Sequence, residues 1–341
     1  MKLSLAGPPH VPPINTVAGM MRQVLVALVP GIGAHLWFFG VGILFQIALA
    51  VLFALAFEAV MLKARGRPLQ PFISDYSAVV TAVLFALCMP PLAPWWIALT
   101  GMLFAIVIAK HLYGGLGYNL FNPAMVGFAA VIIAFPMEMS QWLSPRQLSP
   151  GLPGFWQSAV AILTGSLPDA VTWDAISEAT PLDALKTGVA DNRLVTEIRQ
   201  APIFGDFGGL GWEWIANLYA LGGFWLLYKR VISWHVPVAT LATVIAVSIP
   251  LWLLGPDIHP SPPQHIFSGA LVLAAFFIAT DPVSGCSTMR GRLIFGVGVA
   301  VLTLAIRRFG GYPDGVAFAV LLMNMAAPLI DRLTRPRTYG H

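Results

Sequence analysis

Ile43-Leu-Phe-Gln-Ile-Ala-Leu-Ala-Val-Leu-Phe-Ala-Leu-Ala-Phe-Glu-Ala-Val-Met-Leu62 carries a single charged side chain, Glu58. A hydrocarbon core takes about 20 apolar residues as helix, because each residue rises ~1.5 Å and lipid satisfies no backbone hydrogen bond. The stretch reads as a membrane span. The same ruler laid along the chain gives ten approximate spans: 20–39, 43–62, 73–90, 94–112, 122–136, 212–229, 234–254, 264–280, 292–309 and 314–331. Composition agrees. Of 341 residues, 57% are hydrophobic and 10% are Asp, Glu, Lys or Arg, whereas a soluble domain is about 25% charged. So few charges could not cover a soluble fold of this length.

The net charge of +4 does not point to nucleic acid, since no basic cluster with interleaved aromatics accompanies it. The excess sits in short loops, as membrane topology predicts. Lys63, Arg65 and Arg67 follow the second span, Lys110 and His111 end the fourth, Lys229 and Arg230 end the sixth, Arg290 and Arg292 precede the ninth, and Arg332, Arg335 and Arg337 follow the tenth. All fall on one side if the amino end is cytoplasmic. Only Arg307-Arg308 departs from the bias. The expected order is a cytoplasmic segment 1–19, five spans in 20–136, an extracytoplasmic domain 137–211, five spans in 212–331 and a cytoplasmic tail 332–341. Cys88 and Cys286 are too few for a disulfide framework or for an iron–sulfur ligand set, which commonly needs four thiolates.

The two halves echo each other. Lys110-His-Leu-Tyr-Gly-Gly115 returns as Arg307-Arg-Phe-Gly-Gly311, and the stretch from Ser77 to Pro90 returns from Ser268 to Thr280-Asp281-Pro282. Five spans per half is odd, so the halves must have opposite orientation, which makes Arg307-Arg308 the inverted copy of Lys110-His111. The fold class is therefore an all-α integral membrane protein of about ten transmembrane helices in two inverted five-helix repeats. A small extracytoplasmic domain is inserted between them. In such folds, short or interrupted helices at matching positions mark a midplane site; the third and fifth spans, with the eighth and tenth, are the candidates. Glu58, Asp75, Lys110, Glu213, Asp281 and Asp314 all lie near span ends, so this chain alone is a poor charge-relay pump. Pattern by itself favours a channel or secondary transporter for a small solute.

Thr172-Trp-Asp-Ala-Ile-Ser-Glu-Ala-Thr-Pro-Leu-Asp-Ala-Leu-Lys186, in the segment 137–211, changes that order. Thr180, Pro181 and Asp183 read as a helix N-cap, a first-turn proline and an acid three residues on. The same geometry suits an anion, because a helix start presents free N–H groups. Asp174-x-x-Ser177-x-Ala179-Thr180 also matches the pattern on which an extracytoplasmic flavin transferase esterifies FMN to threonine.

With Gly114-Gly-Leu-Gly-Tyr-Asn-Leu-Phe-Asn-Pro-Ala124, Phe277-Ile-Ala-Thr-Asp-Pro-Val-Ser284, Gly310-Gly-Tyr-Pro-Asp-Gly-Val-Ala-Phe318 and Pro336-Arg-Thr-Tyr-Gly-His341, the chain resembles the NqrB/RnfD family over nearly its whole length. Members of that family are membrane subunits of the Rnf (also Rsx) electron-transport complex and of the sodium-pumping quinone reductase. Glu178 departs from the pattern, where relatives often carry Gly or another small or apolar residue.

The resemblance implies a subunit, inactive alone, of an ion-translocating oxidoreductase that couples electron transfer between NADH and ferredoxin to Na+ or H+ movement. It implies FMN as a phosphothreonyl ester on Thr180, with Asp174, Ser177 and Ala179 read by the transferase. It also implies a second, non-covalent flavin or riboflavin, carried over to Asn119, Asn122 and Asp281, whose plainer role is capping interrupted backbone. The implied partners are RnfA, RnfB, RnfC, RnfE and RnfG, in the inner membrane of a bacterium, with both termini cytoplasmic and the FMN domain periplasmic. No metal and no dinucleotide site is expected: Gly114-Gly-Leu-Gly117 follows a span and reads as a turn rather than a strand–helix fingerprint.

Overall fold

A computed structural model describes residues 16–149, 151–167 and 172–336. Most of the Pro336–His341 motif and of the segment 1–19 therefore lies outside the described residues. Among the described residues the fold is all helical. Only two isolated β-bridges occur there, Leu143 with Ser177 and Phe204 with Gly209.

The first half runs α1 (Val17–Phe39), α2 (Gly42–Ala64), α3 (Leu69–Ile73), α4 (Ser77–Ala86), α5 (Trp95–Met102) continuing as a π-helix (Leu103–His111), and α6 (Pro123–Ala134). A middle segment holds α7 (Pro136–Ser140), α8 (Phe155–Thr164), α9 (Trp173–Ile176), α10 (Pro181–Ala190) and α11 (Val195–Ile198). The second half runs α12 (Trp212–Tyr228), α13 (His235–Leu254), α14 (Pro262–Phe267), α15 (Leu271–Leu273) continuing as a π-helix (Ala274–Ile278), α16 (Met289–Phe309) and α17 (Val316–Leu333). Both halves thus order two long helices, one or two short ones, a long one and a last one. Among the described residues five helices, α1, α2, α13, α16 and α17, are long and apolar enough to cross a membrane.

The third and eighth predicted spans are the interrupted ones. α4 starts from Tyr76 at φ 62, a left-handed conformation that non-glycine residues rarely adopt, and Asp75 Oδ1 accepts the freed Ser77 N–H at 2.7 Å. The eighth breaks at Ser268, between α14 and α15. The tenth predicted span differs from expectation: α17 is one continuous helix through Pro328. The fifth is the short helix α6.

α4 and the α15 stretch form the centre. Ser77, Ala78 and Val80–Leu87 are buried, as is every residue from Leu271 to Ala279, the pattern of helices apolar all round. α1 packs on α12 across the halves. A Cβ at Gly31 would collide with the Tyr219 ring, and one at Gly222 with the Ala27 carbonyl oxygen, so these two glycines set how closely the halves approach.

The turns gather at two ends. At one, Gln46 Nε2 donates to Ala93 O at 2.5 Å and Arg146 N–H to Phe38 O at 2.9 Å. There too, Val195 N–H donates to Asp257 O at 2.8 Å, and Lys186 reaches the 310–312 loop. The described residues of 137–211 lie on this end. At the other, Arg65 Nη1 donates to His111 O at 3.3 Å, and Met20, Lys110, Val231 and Asp281 line one cavity. Lys110-His111 sits at this basic end, and its echo Arg307-Arg308 at the domain-bearing end.

Candidate functional site: two cavities flanking the central helices

Thr180 is the N-cap of α10, and its Oγ1 accepts the Asp183 N–H at 3.2 Å. The segment before it is held by backbone bonds: Ser144 N–H donates to Ile176 O and Glu178 N–H to Trp142 O, both at 2.9 Å. Ser177 Oγ donates back to Trp173 O at 2.7 Å, and Ala179 is exposed. Asp174 belongs to α9, but its side chain lies outside the described residues. At the far side, Lys186 donates to Gly310 O and, at 2.7 Å, to Tyr312 O, pinning α10 on the 310–314 loop. Burial pushes the Asp183 carboxyl above its ordinary value, against the pull of the nearby Lys186 ammonium, and burial lowers Lys186.

Beneath Thr180 opens a cavity of about 330 Å3 between the halves, within the size range of small-molecule sites. Trp142 and Trp212 line it with their ring centroids 4.8 Å apart; Phe39 backs Trp212 at 5.0 Å. Its walls come from α1, α6, α12 and α17 and from the ends of α4 and α15. Three wall residues hold buried polar atoms with no hydrogen-bond partner: His35 Nδ1, Tyr219 Oη and Ser268 Oγ. Buried polar atoms are nearly always paired, so three orphans around one cavity fit a ligand with donors and acceptors on a flat, largely apolar body.

A second cavity, of about 110 Å3, lies at the basic end of the same central helices. Asn119 and Asn122, from the one loop before α6, and Asp281, from the turn after the second π-helix, line it together. Asn122 caps α6 through Met125 N–H (3.2 Å) and ties the halves: its N–H donates to Asn324 Oδ1 at 2.9 Å and its Nδ2 to Ile278 O at 3.3 Å. Asp281 accepts from Val283 N–H at 3.2 Å and Ser284 Oγ at 2.7 Å, capping its own turn. Asn119 Oδ1 is buried and unpartnered. Two of the three are thus occupied within the protein, and Asn119 retains a free acceptor. Tyr219, in the first cavity, faces Phe277, in the second, with ring centroids 6.1 Å apart.

Glu58 and Lys110 fall near span ends in the sequence, but in the fold they are a buried ion pair. Both are 2% exposed, and Lys110 Nζ donates to the two carboxylate oxygens at 2.9 and 2.8 Å and to Ser77 Oγ at 2.9 Å. Ser77 Oγ passes on to Asp75 Oδ1 at 2.6 Å, and His111 Nε2 lies 3.2 Å from Glu58 Oε2. The signal for this pairing was the lone Glu58 in an apolar run, since an intramembrane charge needs a partner. Among the described residues no group of three or more metal-ligating side chains occurs.

Known proteins share this sequence along its length. A model of the NQR2, RnfD, RnfE family matches residues 4–340. The chain is 48% identical to an ion-translocating oxidoreductase complex subunit of Escherichia fergusonii, covering 100% of this chain and 99% of that one. It is 53% identical to the protein of the same name from Ectopseudomonas mendocina, over 98% and 94%, and 47% to that of Aliivibrio salmonicida, over 100% and 99%.

Proposed function

The chain belongs to the NQR2, RnfD, RnfE family, and from that premise we propose that it relays electrons through FMN esterified to Thr180, as a multi-pass membrane subunit of an ion-translocating oxidoreductase complex. The observation that carries the reading is the place of the Thr180 hydroxyl: at a helix start, on the rim of a cavity whose wall holds three unpartnered buried polar atoms. The residues present fit the group. The Trp142–Trp212 pair, packed edge to face, would give a planar ring one aromatic wall, and His35, Tyr219 and Ser268 would meet its polar atoms. Bound there, FMN supplies a ring that takes electrons singly or in pairs, while the protein supplies position and tuning. An ester keeps it from diffusing away outside the cytoplasm.

The α10 start offers N–H groups to the ester phosphate, and the apolar walls exclude water. A second, non-covalent flavin would use the cavity of Asn119, Asn122 and Asp281, where Asn119 Oδ1 is the free acceptor. The alternation of turns between the two ends supports ten spans as two inverted repeats, 20–136 and 212–331, with 137–211 outside the cytoplasm and the basic end inside. The setting is a bacterial inner membrane, and the partners are the other members of the complex, RnfA, RnfB, RnfC, RnfE and RnfG, with a flavin transferase for maturation. The coupled ion is Na+ or H+.

The test is a denaturing gel of protein matured with an active flavin transferase. A flavin-fluorescent band, with the mass of FMN added to the peptide containing Thr180, is expected. A dark band and a bare peptide from that preparation would remove the relay reading. Flavin released from the same sample by heat, counted per chain, reports the second site.

A further inference from the structure

We propose that α8 is an in-plane membrane helix, its Trp156, Val160 and Leu163 stripe embedded in the acyl chains of the leaflet at the domain-bearing end. The inference rests on the membrane reading of α1 and α2 and goes beyond the flavin reading. At ~1.5 Å per residue, ten residues of α8 are too short to cross a bilayer. Yet the helix is apolar on both sides. Ser158, Ala159, Ala161 and Ile162 are buried against the bundle, while Trp156 is 78%, Leu163 59% and Val160 42% exposed. Positions i, i+4 and i+7 lie on one face of a helix, so the three side chains form one continuous stripe, flanked by Phe155.

A helix apolar all round is a buried helix, and here none of the described residues covers the outer stripe. Two features name the lipid as its cover. First, residues 151–167 contain no charged side chain; Gln157 and Thr164, at the two helix ends, spend their polar atoms locally, on Gly154 N–H and Val160 O. Second, the stripe is continuous with the apolar outside of the bundle. Phe155 packs on Phe45 of α2 with centroids 4.8 Å apart, and Leu44, its neighbour, is exposed along with Leu52 further down α2. Exposed Trp37, stacked under the Arg146 guanidinium at 4.6 Å, lies at this same end. Indole groups favour the boundary between headgroups and chains, and guanidinium groups reach out to it. α8 would thus lie along the boundary between headgroups and chains, anchoring the domain-bearing end of the bundle at the membrane surface.

The test uses the assembled complex in phosphatidylcholine vesicles whose acyl chains are brominated near the carbonyl or near the methyl end. The difference in fluorescence between wild type and Trp156→Phe isolates Trp156. Stronger quenching by the shallow bromine than by the deep one, with little by aqueous acrylamide, is expected. Quenching by acrylamide alone would overturn the proposal. As a second measurement, a photo-reactive phenylalanine analogue at Leu163 and, for reference, at Leu52 should yield phospholipid adducts at both. Adducts at Leu52 together with a crosslink from Leu163 to another polypeptide would show that a neighbouring protein covers α8 and overturn the proposal. Absence of lipid adducts at Leu52 would instead overturn the membrane reading beneath it. Neither result depends on whether Thr180 carries flavin.

Discussion

Thr180 can serve two roles with one oxygen because a cap needs a lone pair rather than the hydroxyl proton. Its Oγ1 accepts the Asp183 N–H, and an ester at that atom leaves an acceptor in place. Substitutions separate the roles. Thr180→Ala should lose both the flavin band and the cap, lowering stability by ~1 kcal/mol, whereas Thr180→Asn, itself a good N-cap, should be equally dark on the gel with little change in the unfolding midpoint. The Glu58–Lys110 pair makes a second argument at this scale. Removing one partner strands a buried charge, at a cost of about 3–5 kcal/mol, while replacing both with apolar groups is often near neutral. Lys110→Met should therefore lower the thermal midpoint in detergent more than Glu58→Leu combined with Lys110→Met; a double variant worse than the single one would show that the pair itself stabilises the bundle. The capping role of Thr180 was legible from its neighbours in sequence. The pair was legible only in half: a lone Glu58 in an apolar run calls for a partner, but Lys110 belongs to a different span and only packing brings the two together.

Elements divide in the same way. α1, α2, α13 and α16 follow from long apolar runs, and the α10 cap from Thr180-Pro181-x-Asp183. What apolar content could not give was where a run stops being helix. The stretch 73–90 reads as one span, but the helix occupies Ser77–Ala86, because Tyr76 is left-handed and Asp75 takes over the freed N–H. The π-helix Leu103–His111 has no sequence signature either; such stretches mark functional positions in many folds, and this one ends on Lys110 and His111, both buried. Two predictions belong here. Gly222→Leu would drive a side chain into the Ala27 carbonyl, and overpacking of this kind costs about 1–3 kcal/mol or more; a drop in yield of folded protein is expected, with Gly33→Leu, where a Cβ meets nothing, as the tolerated control. Lys186→Met should release α10 from the 310–312 loop, seen as faster hydrogen exchange across 181–190 with the spans unchanged.

For the whole molecule, the distribution of charge and of turns argues one topology. A periplasmically active reporter fused near Ser166 should be active, and the same reporter in the loop after Arg65 inactive; the reverse pattern would invert the orientation drawn from the basic loops. Sequence by itself determined the membrane class, the all-helical content and the family. Each of these depends on composition or on residues adjacent in the chain, and a bilayer imposes the first two on any chain with these apolar runs. Tertiary structure alone decided that Thr180 opens on a cavity built from both halves. It also decided that Asn119, Asn122 and Asp281 share a second cavity and that Glu58 meets Lys110. A cavity is a property of which helix faces fail to touch, and that is fixed only when distant helices pack.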